Sequence, residues 1–291
     1  MSVTLTLERG QQAPVHPQFS VVTVVFNGAS TLESAMLSVL GQVGASCEYI
    51  VIDGASTDGS LDIIKRYEHR LSFWSSEADS GVYDAFNKAI AVARGEWIYF
   101  LGADDRLAQE NVLARIGARL DVLGKDVVLA YGTVNLVDRD GMVVGSIGQT
   151  WEQSCLMAGK GMFVPHQGLF QRRSWFERYG VFDADYRIAG DYEMMLRGWG
   201  KESAEFFPDV VVAYMANGGV SSAPKNALRH LREVAKAQSE HGWPFQWRLA
   251  MAFFRTYVRL ALQVACGEKI TSKLLDRGRR LIDRKSHRMK K

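Results

Sequence analysis

The sequence predicts an α/β fold in which a mostly parallel central sheet is flanked by helices. Short apolar runs rich in β-branched residues alternate with segments of helical periodicity, and the joints between them are short. Strands and helices that alternate in this way form βαβ units with right-handed crossovers and parallel strands. The composition, 47% hydrophobic and 23% charged over 291 residues, is that of an ordinary globular protein.

The first part of the chain holds four predicted strands and the three helices between them. Residues 19–26 form a β-branched apolar run that is typical of a buried strand. Ser30 and Glu33 follow with the spacing of a capping box, which predicts the start of a helix. The other strands are predicted at 48–52, 71–76 and 97–101, and the helices at 30–40, 61–69 and 83–93.

The second part of the chain adds further strands and a helix. Residues 127–131 are typical of a strand, and the alternation over 134–146 around Asp138 and Gly141 predicts a β-hairpin. A helix is predicted at 192–199 and a strand at 205–214. The loop at 217–221, which contains two adjacent glycines, is either a plain connector or a segment that closes over a bound ligand.

Several classes of protein are disfavoured by what the sequence lacks. No G-x-G-x-x-G follows the first strand and no G-x-x-x-x-G-K-[ST] occurs, so neither a dinucleotide site nor a P-loop is expected. Cys47, Cys155 and Cys266 form no C-x-x-C, which favours a reducing, cytosolic setting over a zinc site or a disulfide framework. We expect no signal peptide and no membrane span.

Acidic residues follow several of the predicted strands. Asp53 ends the second strand, Asp79 follows the third, and Asp104 and Asp105 follow the fourth. Ligands bind at the carboxyl ends of strands in open α/β sheets, and adjacent carboxylates there are costly unless a cation neutralises them. A hard cation, Mg²⁺ or Mn²⁺, shared with a substrate diphosphate would do so. The alternative is a surface turn, since Asp and Gly both favour turns.

Four blocks of sequence occur in a characteristic order: VVTVVFNG, EYIVIDGASTDGS, SEADSGVYDAFNKAI and GEWIYFLGADD. Together they resemble the family 2 glycosyltransferases, which have the GT-A fold. The resemblance covers roughly residues 19–220. Within the family, the sequence is especially similar to bacterial enzymes of exopolysaccharide, O-antigen and colanic-acid-type assembly. It implies a nucleotide-diphospho-sugar donor, a divalent metal, and transfer with inversion at the anomeric carbon.

The resemblance also implies which residues form the site. Asp191 falls where the family has its catalytic base, and Asp104 and Asp105 fall at the metal motif. The residues expected to bind the donor are Phe26, Asn27, Asp53, Ser56, Asp79, Asp84, Asn87, Lys88, Asp104, His166 and Gln167.

Three glycines stand where many members of the family carry acids. Gly54 follows the second strand, Gly102 opens the metal motif, and Gly190 directly precedes the expected base. The missing acid at the metal motif leaves open whether Asp104 or Asp105 contacts the cation.

Several of these side chains have a structural alternative. Lys88 is either a phosphate partner or a solvated helix lysine, and His166 either contacts the donor sugar or is a structural histidine. Asp191 at a helix start is also a common N-cap residue, a role compatible with that of a base. Glu193, in the same helix, is a weaker candidate for the base and is expected to be exposed.

The predicted organisation is a leader at 1–18, a GT-A catalytic domain at 19–225 and a basic, helical C-terminal region at 226–291. The C-terminal region has 16 Lys and Arg against 5 Asp and Glu, a net charge of +11. The remaining residues, 1–225, have 19 Lys and Arg against 27 Asp and Glu, a net charge of −8. A basic region of this kind favours an anionic partner.

Two helices are predicted in this region, at 226–238 and 245–265, and the second is amphipathic. Arg248, Arg255 and Arg259 lie within roughly 40° of one another on one face. The opposite face is apolar: Leu249, Phe253, Tyr257, Leu260 and Val264. The helix is expected either to attach to an anionic membrane or to pack on the catalytic domain. No pattern of a nucleic-acid-binding module occurs, so no nucleic acid partner is expected.

The sequence therefore predicts a metal-dependent, inverting glycosyltransferase that acts on a nucleoside-diphosphate sugar, with UDP as the expected nucleotide. The acceptor is expected to be a saccharide hydroxyl on a polyprenyl diphosphate, and the enzyme to be peripheral on the cytoplasmic face of the membrane. One alternative is a nucleotidyltransferase, although residues 26–30 lack the cations expected of that class. The other is a non-catalytic sugar-nucleotide-binding protein.

Overall fold

The computed structural model describes residues 16–138, 140–216, 226–243 and 247–266. Most of the predicted leader, the loop at 217–221 and the basic segment after residue 266 lie outside the described residues. The strands are β1 (Phe19–Val25), β2 (Cys47–Asp53), β3 (Phe73–Ser76), β4 (Trp97–Gly102), β5 (Arg106–Leu107), β6 (Leu129–Val137), β7 (Val143–Ile147), β8 (Leu169–Arg172) and β9 (Ala204–Ala216). The helices are α1 (Ala29–Leu40), α2 (Ser60–Tyr67), α3 (Val82–Val92), α4 (Val112–Leu120), α5 (Trp151–Cys155), α6 (Arg173–Tyr179), α7 (Gly190–Arg197), α8 (Ala227–Glu240) and α9 (Trp247–Cys266).

The strands of the described chain form one sheet in the order β3-β2-β1-β4-β8-β6-β9-β5, with β7 paired to β6. β1 runs parallel to β2 and β4, and β2 runs parallel to β3, as the alternation of strands and helices predicts. The other half of the sheet is mixed: β8 is antiparallel to β4 and β6, whereas β6 and β9 are parallel. The hairpin predicted around Asp138 and Gly141 is confirmed as the β6–β7 pair.

Side chains alternate between two hydrophobic layers, one on each face of the sheet. On β4, Ile98 and Phe100 belong to one layer, and Trp97, Tyr99 and Leu101 belong to the other. Helices α1, α2 and α4 cover the second layer, and α3, α6, α7 and α8 cover the first. This period of two leaves the strand ends, and not the strand faces, available for a site.

The capping box predicted from Ser30 and Glu33 is wrong. The N-cap of α1 is Gly28, which has no side chain, and the N–H of the first helical residue, Ala29, donates to the Asp58 carboxylate at 2.9 Å. The Glu33 carboxylate instead accepts hydrogen bonds from Arg66 (2.7 Å) and the Tyr67 hydroxyl (2.8 Å) of α2. Because α1 begins at Ala29, Ser30 lies inside the first turn and not at the N-cap position.

Helix α8 is part of the same packed body as the sheet. Leu231, Val234 and Ala237 are buried in the layer that also contains side chains of α3 and α7. The predicted boundary at residues 225 and 226 thus marks a change in charge and not the edge of the hydrophobic core.

Helix α9 packs one apolar face on the protein and exposes another. Leu249 is buried and Phe253 is partly buried against the core, so the apolar face predicted from the sequence is in part a packing face. A second stripe is exposed, with spacings of four, three and four residues: Trp247, Met251, Phe254 and Val258. None of the helices in the described ranges is both long and apolar enough to cross a membrane.

Candidate active site

The carboxyl ends of the parallel strands lie in one row. The strand registers pair Asp53 with Val25 of β1 and with Ser76 of β3. In β4, Gly102 pairs with Val24. The segments that follow these four strands therefore leave the sheet at the same edge, where ligands bind in open α/β sheets.

Asp53 is fully buried and joins the loops after β1 and β2. Its carboxylate accepts the Ser56 N–H (3.1 Å) and hydroxyl (2.5 Å), and the Ser76 hydroxyl (2.6 Å). The Ser56 oxygen accepts the N–H of Asn27 (2.8 Å), and Asn27 Oδ1 accepts the N–H of Thr57 (2.9 Å). This network holds Asn27 at φ 51°, a conformation uncommon for a residue other than glycine.

Phe26 and Asp79 lie side by side above Gly54. The Phe26 side chain is 67% exposed. A Cβ added to Gly54 would lie 3.4 Å from the Phe26 ring and 2.6 Å from Asp79 Oδ2. Asp79 is oriented by the N–H of Gly81, which donates to its Oδ1 at 2.8 Å. Asp79 therefore occupies the space that an acid at position 54 would need.

Asp104 and Asp105 converge at the end of β4. Asp104 is exposed, whereas Asp105 is 4% exposed. A Cβ added to Gly102 would lie 2.5 Å from Asp105 Oδ2 and 3.0 Å from Asp104 Oδ1, so a third acid has no room there. Burial and the charge of Asp104 raise the pKa of Asp105 to about 7, although the Ala216 N–H and the Gln167 side chain donate to it.

This pair of carboxylates fits a divalent cation that is shared with a diphosphate. The described residues contain no cluster of three or more His, Cys, Asp or Glu that could hold a metal, so an all-protein cage is not formed there. Mg²⁺ commonly binds through one or two carboxylates and completes its shell with water and phosphate oxygens. A cation would also remove the repulsion from Asp104 that raises the pKa of Asp105.

Gln167 connects the metal motif to the short turn before β8. The Tyr99 hydroxyl donates to the Gln167 carbonyl at 2.8 Å, which fixes the turn against β4. The Gln167 side chain donates to Asp105. The predicted donor-binding residue Gln167 is thus brought into contact with the predicted metal motif.

His166 lies in an aromatic pocket next to Gln167. Its ring stacks on Phe86 and Phe100, with centroid distances of 5.7 and 5.5 Å. Both ring nitrogens are buried and have no hydrogen-bond partner within the described residues. Burial lowers the pKa of His166, and the charge of Asp191 acts in the opposite direction. A neutral imidazole has one N–H donor and one acceptor nitrogen, and in the described part of the chain neither is bonded or exposed to solvent.

Asp191 lies in the first turn of α7 and contacts α3. Its Oδ1 accepts the N–H of Tyr192 (2.8 Å) and the hydroxyl of Tyr83 (3.4 Å). A Cβ added to Gly190 would lie 2.8 Å from the Tyr83 ring, so the glutamate expected at position 190 has no room. Tyr83 is in the first turn of α3, directly after the loop that contains Asp79 and Gly81. Its bond to Asp191 therefore brings Asp191 close to that loop.

Comparison with known protein families assigns the chain to a class. The family model described as Glycosyl transferase family 2 matches residues 20–180, more than half of the 291-residue chain. The chain belongs to glycosyl transferase family 2. It is a glycosyltransferase, and the predicted GT-A fold with C-terminal helices is confirmed.

Individual relatives agree with this assignment. A PGL/p-HBAD biosynthesis glycosyltransferase of Mycobacterium tuberculosis is 29% identical over 211 residues, 71% of this chain and 80% of the relative. Mannosyltransferase PcManGT from Pyrobaculum calidifontis, in complex with GDP-Man and Mn²⁺, is 22% identical with a TM-score of 0.60, covering 92% of this chain and 81% of that one. S. aureus TarS in complex with UDP-GlcNAc is 18% identical with a TM-score of 0.58, covering 76% and 66%. At these identities the two structures show a shared fold.

In this glycosyltransferase, Lys88 is engaged by acids of its own chain. Its ammonium pairs with Glu77 (2.9 Å), donates to the Ala78 carbonyl (3.2 Å) and lies 4.0 Å from Asp84. The carboxylate of Asp84 also accepts the N–H of Ser80 at 2.9 Å. Both predicted donor-binding residues thus hold the start of α3, and the charge of Glu77 competes with a phosphate for Lys88.

Two other side chains are used for internal contacts. The amide of Asn87 makes two hydrogen bonds to the backbone of Phe182, at 2.8 and 2.9 Å, so we assign it to the packing of α3 and not to the donor. Glu193, expected to be exposed, is 5% exposed. Arg197 (2.6 Å) and His241 (2.8 Å) pair with its carboxylate and make that burial possible.

Two further residues of the glycosyltransferase lie at the site without a motif that would identify them. The Tyr83 hydroxyl donates a hydrogen bond to the Asp191 carboxylate. The only signal in the sequence was the glycine at position 190, which leaves room for the Tyr83 ring. The Arg187 guanidinium lies over the N-terminus of α3, with Nη1 3.2 Å from the position of a Cβ on Gly81. No sequence spacing connects Arg187 with Gly81, since more than a hundred residues separate them.

Proposed function

We propose that this enzyme transfers a sugar from a UDP-sugar, with inversion at the anomeric carbon, to a hydroxyl of a lipid-linked saccharide in bacterial surface-polysaccharide biosynthesis. The observation that carries this proposal is the placement of Asp191. Its two hydrogen bonds within the described residues both end on Oδ1, so Oδ2 is left to accept a proton. The relative named for PGL/p-HBAD biosynthesis and the UDP-GlcNAc complex of TarS support the class of reaction and donor.

The proposed step is a single displacement. Asp191 accepts the proton of the acceptor hydroxyl as that oxygen bonds to C1 on the face opposite the diphosphate. The bond between C1 and the diphosphate oxygen breaks, and its electron pair leaves with the nucleoside diphosphate. Burial and the charge of Asp191 keep the pKa of Tyr83 well above its ordinary value, so Tyr83 stays protonated as a donor to Asp191.

The donor is proposed to lie along the strand-end edge. The exposed Phe26 ring offers a stacking surface for the base, beside the loop that Asp53, Ser56 and Asn27 hold together. Asp79 would face the ribose. Among the described residues, both ring nitrogens of His166 are unbonded but buried, so His166 would bind a hydroxyl of the sugar once the aromatic pocket around it opens.

Asp104 and Asp105 are the residues that would hold Mg²⁺ or Mn²⁺. When bound, the cation supplies positive charge to the leaving diphosphate. The Gln167 side chain and the Ala216 N–H orient Asp105, while the exposed Asp104 is accessible from solvent. Without a cation, the two carboxylates would repel a diphosphate at this edge.

A thermal-shift screen of UDP- and GDP-sugars, each with and without Mn²⁺, tests the proposed donor. A ligand at 100 times its Kd stabilises by about 2.7 kcal/mol, which for this chain length corresponds to a rise in Tm of about 5 °C. We expect a rise of that size for a UDP-sugar with Mn²⁺, and none for UMP at the same concentration. A rise with nucleoside triphosphates and none with any nucleotide sugar would support the nucleotidyltransferase alternative instead.

Helix α9 is proposed to attach the enzyme to an anionic membrane leaflet on its cytoplasmic face. Its exposed stripe, Met251, Phe254 and Val258, lies opposite the face that packs on the core. Arg255 and Arg259 are exposed and flank this stripe. An apolar stripe beside exposed cations is the pattern of a helix that lies in a membrane interface.

Vesicle sedimentation tests this attachment. Each basic residue near an anionic surface contributes about 1 kcal/mol, so Arg255→Glu with Arg259→Glu should weaken binding to phosphatidylserine-containing vesicles more than tenfold. Phe254→Ser, made as a separate variant, should also weaken binding to these vesicles, because it removes an apolar side chain from the exposed stripe. The control Val122→Ser, at a side chain 82% exposed elsewhere on the surface, should bind as the wild type does. Equal sedimentation of all four proteins would contradict the proposal.

A further inference from the structure

The loop that delivers Asp191 is bonded to a glutamate of the C-terminal helix α8. Glu233 accepts three consecutive backbone N–H groups: those of Ile188 (2.8 Å) and Ala189 (2.9 Å) on Oε2, and that of Arg187 (3.2 Å) on both oxygens. Ala189 is the N-cap of α7, and Asp191 follows two residues later. The Glu233 carboxylate therefore fixes the backbone of the three residues that lead into α7.

This arrangement is specific to one residue of α8. The N-cap residue of α7 is an alanine, which offers no side-chain acceptor, and within the first turn Asp191 Oδ1 accepts the N–H of Tyr192. The N–H groups of residues 187–189, which lead into the helix, would otherwise need water or another acceptor. A carboxylate at this end is also favoured by the helix dipole. Glu233 thus supplies the partner that the local sequence lacks.

We infer that Glu233 is a positioning residue for the transfer reaction, and that it fixes Asp191 through the backbone of residues 187–189. This inference rests on the proposed role of Asp191 as the base. Glu233 itself touches neither the base carboxylate nor Tyr83 in the hydrogen bonds of the described chain. Its effect is on the direction in which α7 leaves the loop, and so on where the Asp191 side chain lies relative to the acceptor hydroxyl.

The same contact joins α8, through the loop at 187–189, to helix α3. Arg187, whose backbone Glu233 holds, also reaches Gly81 at the start of α3 with its side chain. The loop is therefore fixed between α8 and α3, and Asp191 is bonded to α3 through Tyr83. Without the Glu233 carboxylate, the loop should be held only by its contacts with α3, those of Arg187 with Gly81 and of Asp191 with Tyr83.

Steady-state kinetics of Glu233→Gln tests the inference. Glutamine keeps the shape of the side chain but removes the charge that binds three N–H groups. A misplacement of about 1 Å at a catalytic group can cost about a hundredfold in rate, so we expect kcat to fall by roughly 10- to 100-fold with the KM for the donor near that of the wild type. Hydrogen exchange of the peptide containing residues 187–191 should become faster.

The control is Val234→Ala, the next residue of α8, whose apolar side chain is fully buried and cannot accept a hydrogen bond from the loop. It should lower the Tm at least as much as Glu233→Gln and leave kcat unchanged. If Glu233→Gln does not fold, Glu233→Asp, which keeps the charge on a shorter side chain, replaces it in the same measurements.

A double-variant cycle with Asp191→Asn separates the two proposals. If Glu233 acts through Asp191, adding Glu233→Gln to Asp191→Asn should cause no further loss of kcat. A multiplicative loss, or full kcat in Glu233→Gln while Asp191→Asn is inactive, would overturn the positioning role alone. Full kcat in Asp191→Asn would overturn the proposed base, and the role of Glu233 with it.

Discussion

Replacement of Asp191 by asparagine is expected to lower kcat by about 10²- to 10⁴-fold, the usual contribution of a general base. Asparagine has nearly the same shape and keeps an oxygen that accepts the N–H of Tyr192 and the hydroxyl of Tyr83. It cannot take up the proton of the acceptor hydroxyl. The change therefore removes one chemical role and retains the local structure, so the Kd of the donor should remain near that of the wild type.

The matched control for this variant is Asp185→Asn, which changes an exposed acid six residues earlier in the chain. It should retain the kcat of the wild type. Product formation gives kcat, and titration calorimetry with the donor gives Kd. Turnover by Asp191→Asn at the rate of the wild type would exclude Asp191 as the base, and a large loss of donor affinity would indicate a binding role instead.

The parallel half of the fold could be predicted because its signals are local. Apolar strands alternate with helices from β1 to β4, and each strand end is marked by a polar residue such as Asn27 or Asp53. The mixed half could not be predicted in the same way. The antiparallel pairing of β8 with β4 joins Tyr99 to Phe170, residues that no local pattern connects.

The three glycines at Gly54, Gly102 and Gly190 show where one sequence stops being informative. Each stands where many members of the family carry an acid, and a Cβ added at each would lie within 3 Å of a neighbouring side chain, which would have to move. The neighbours that fill the space are Asp79, the Asp104 and Asp105 carboxylates, and the Tyr83 ring. These compensations join distant segments, so the sequence indicated the missing acids but not what replaces them.

The partners of the charged residues Glu193 and Glu233 could not be predicted from the sequence either. Glu193 has the spacing of an exposed helix residue, yet it is buried, with Arg197 as its ion-pair partner and His241 within hydrogen-bond distance. Glu233 lies in a region that the sequence marks only as basic, and it binds a loop more than forty residues away. Partners at this separation are set by the packing of α8 on α7, which a single sequence does not reveal.

The second large effect is expected when both acids of the metal motif are removed. Asp104→Ala with Asp105→Asn deletes one carboxylate and neutralises the other, while the asparagine can still accept the N–H of Ala216. The pair should lose the ability to hold a cation against the donor diphosphate. We expect transfer to fall below detection and the effect of Mn²⁺ on donor binding to disappear, with Asp140→Ala, an exposed acid of the β6–β7 hairpin, as the control.

Calorimetric titration of a UDP-sugar into the wild type and into this double variant, with Mn²⁺ and then with EDTA, measures whether the strand-end acids form a cation-assisted donor site. In the wild type, Mn²⁺ should strengthen binding by about tenfold or more, equivalent to roughly 1.4 kcal/mol. In the double variant, the two affinities should be equal and weak. Equal affinity with Mn²⁺ and with EDTA in the wild type, unchanged in the double variant, would contradict the account.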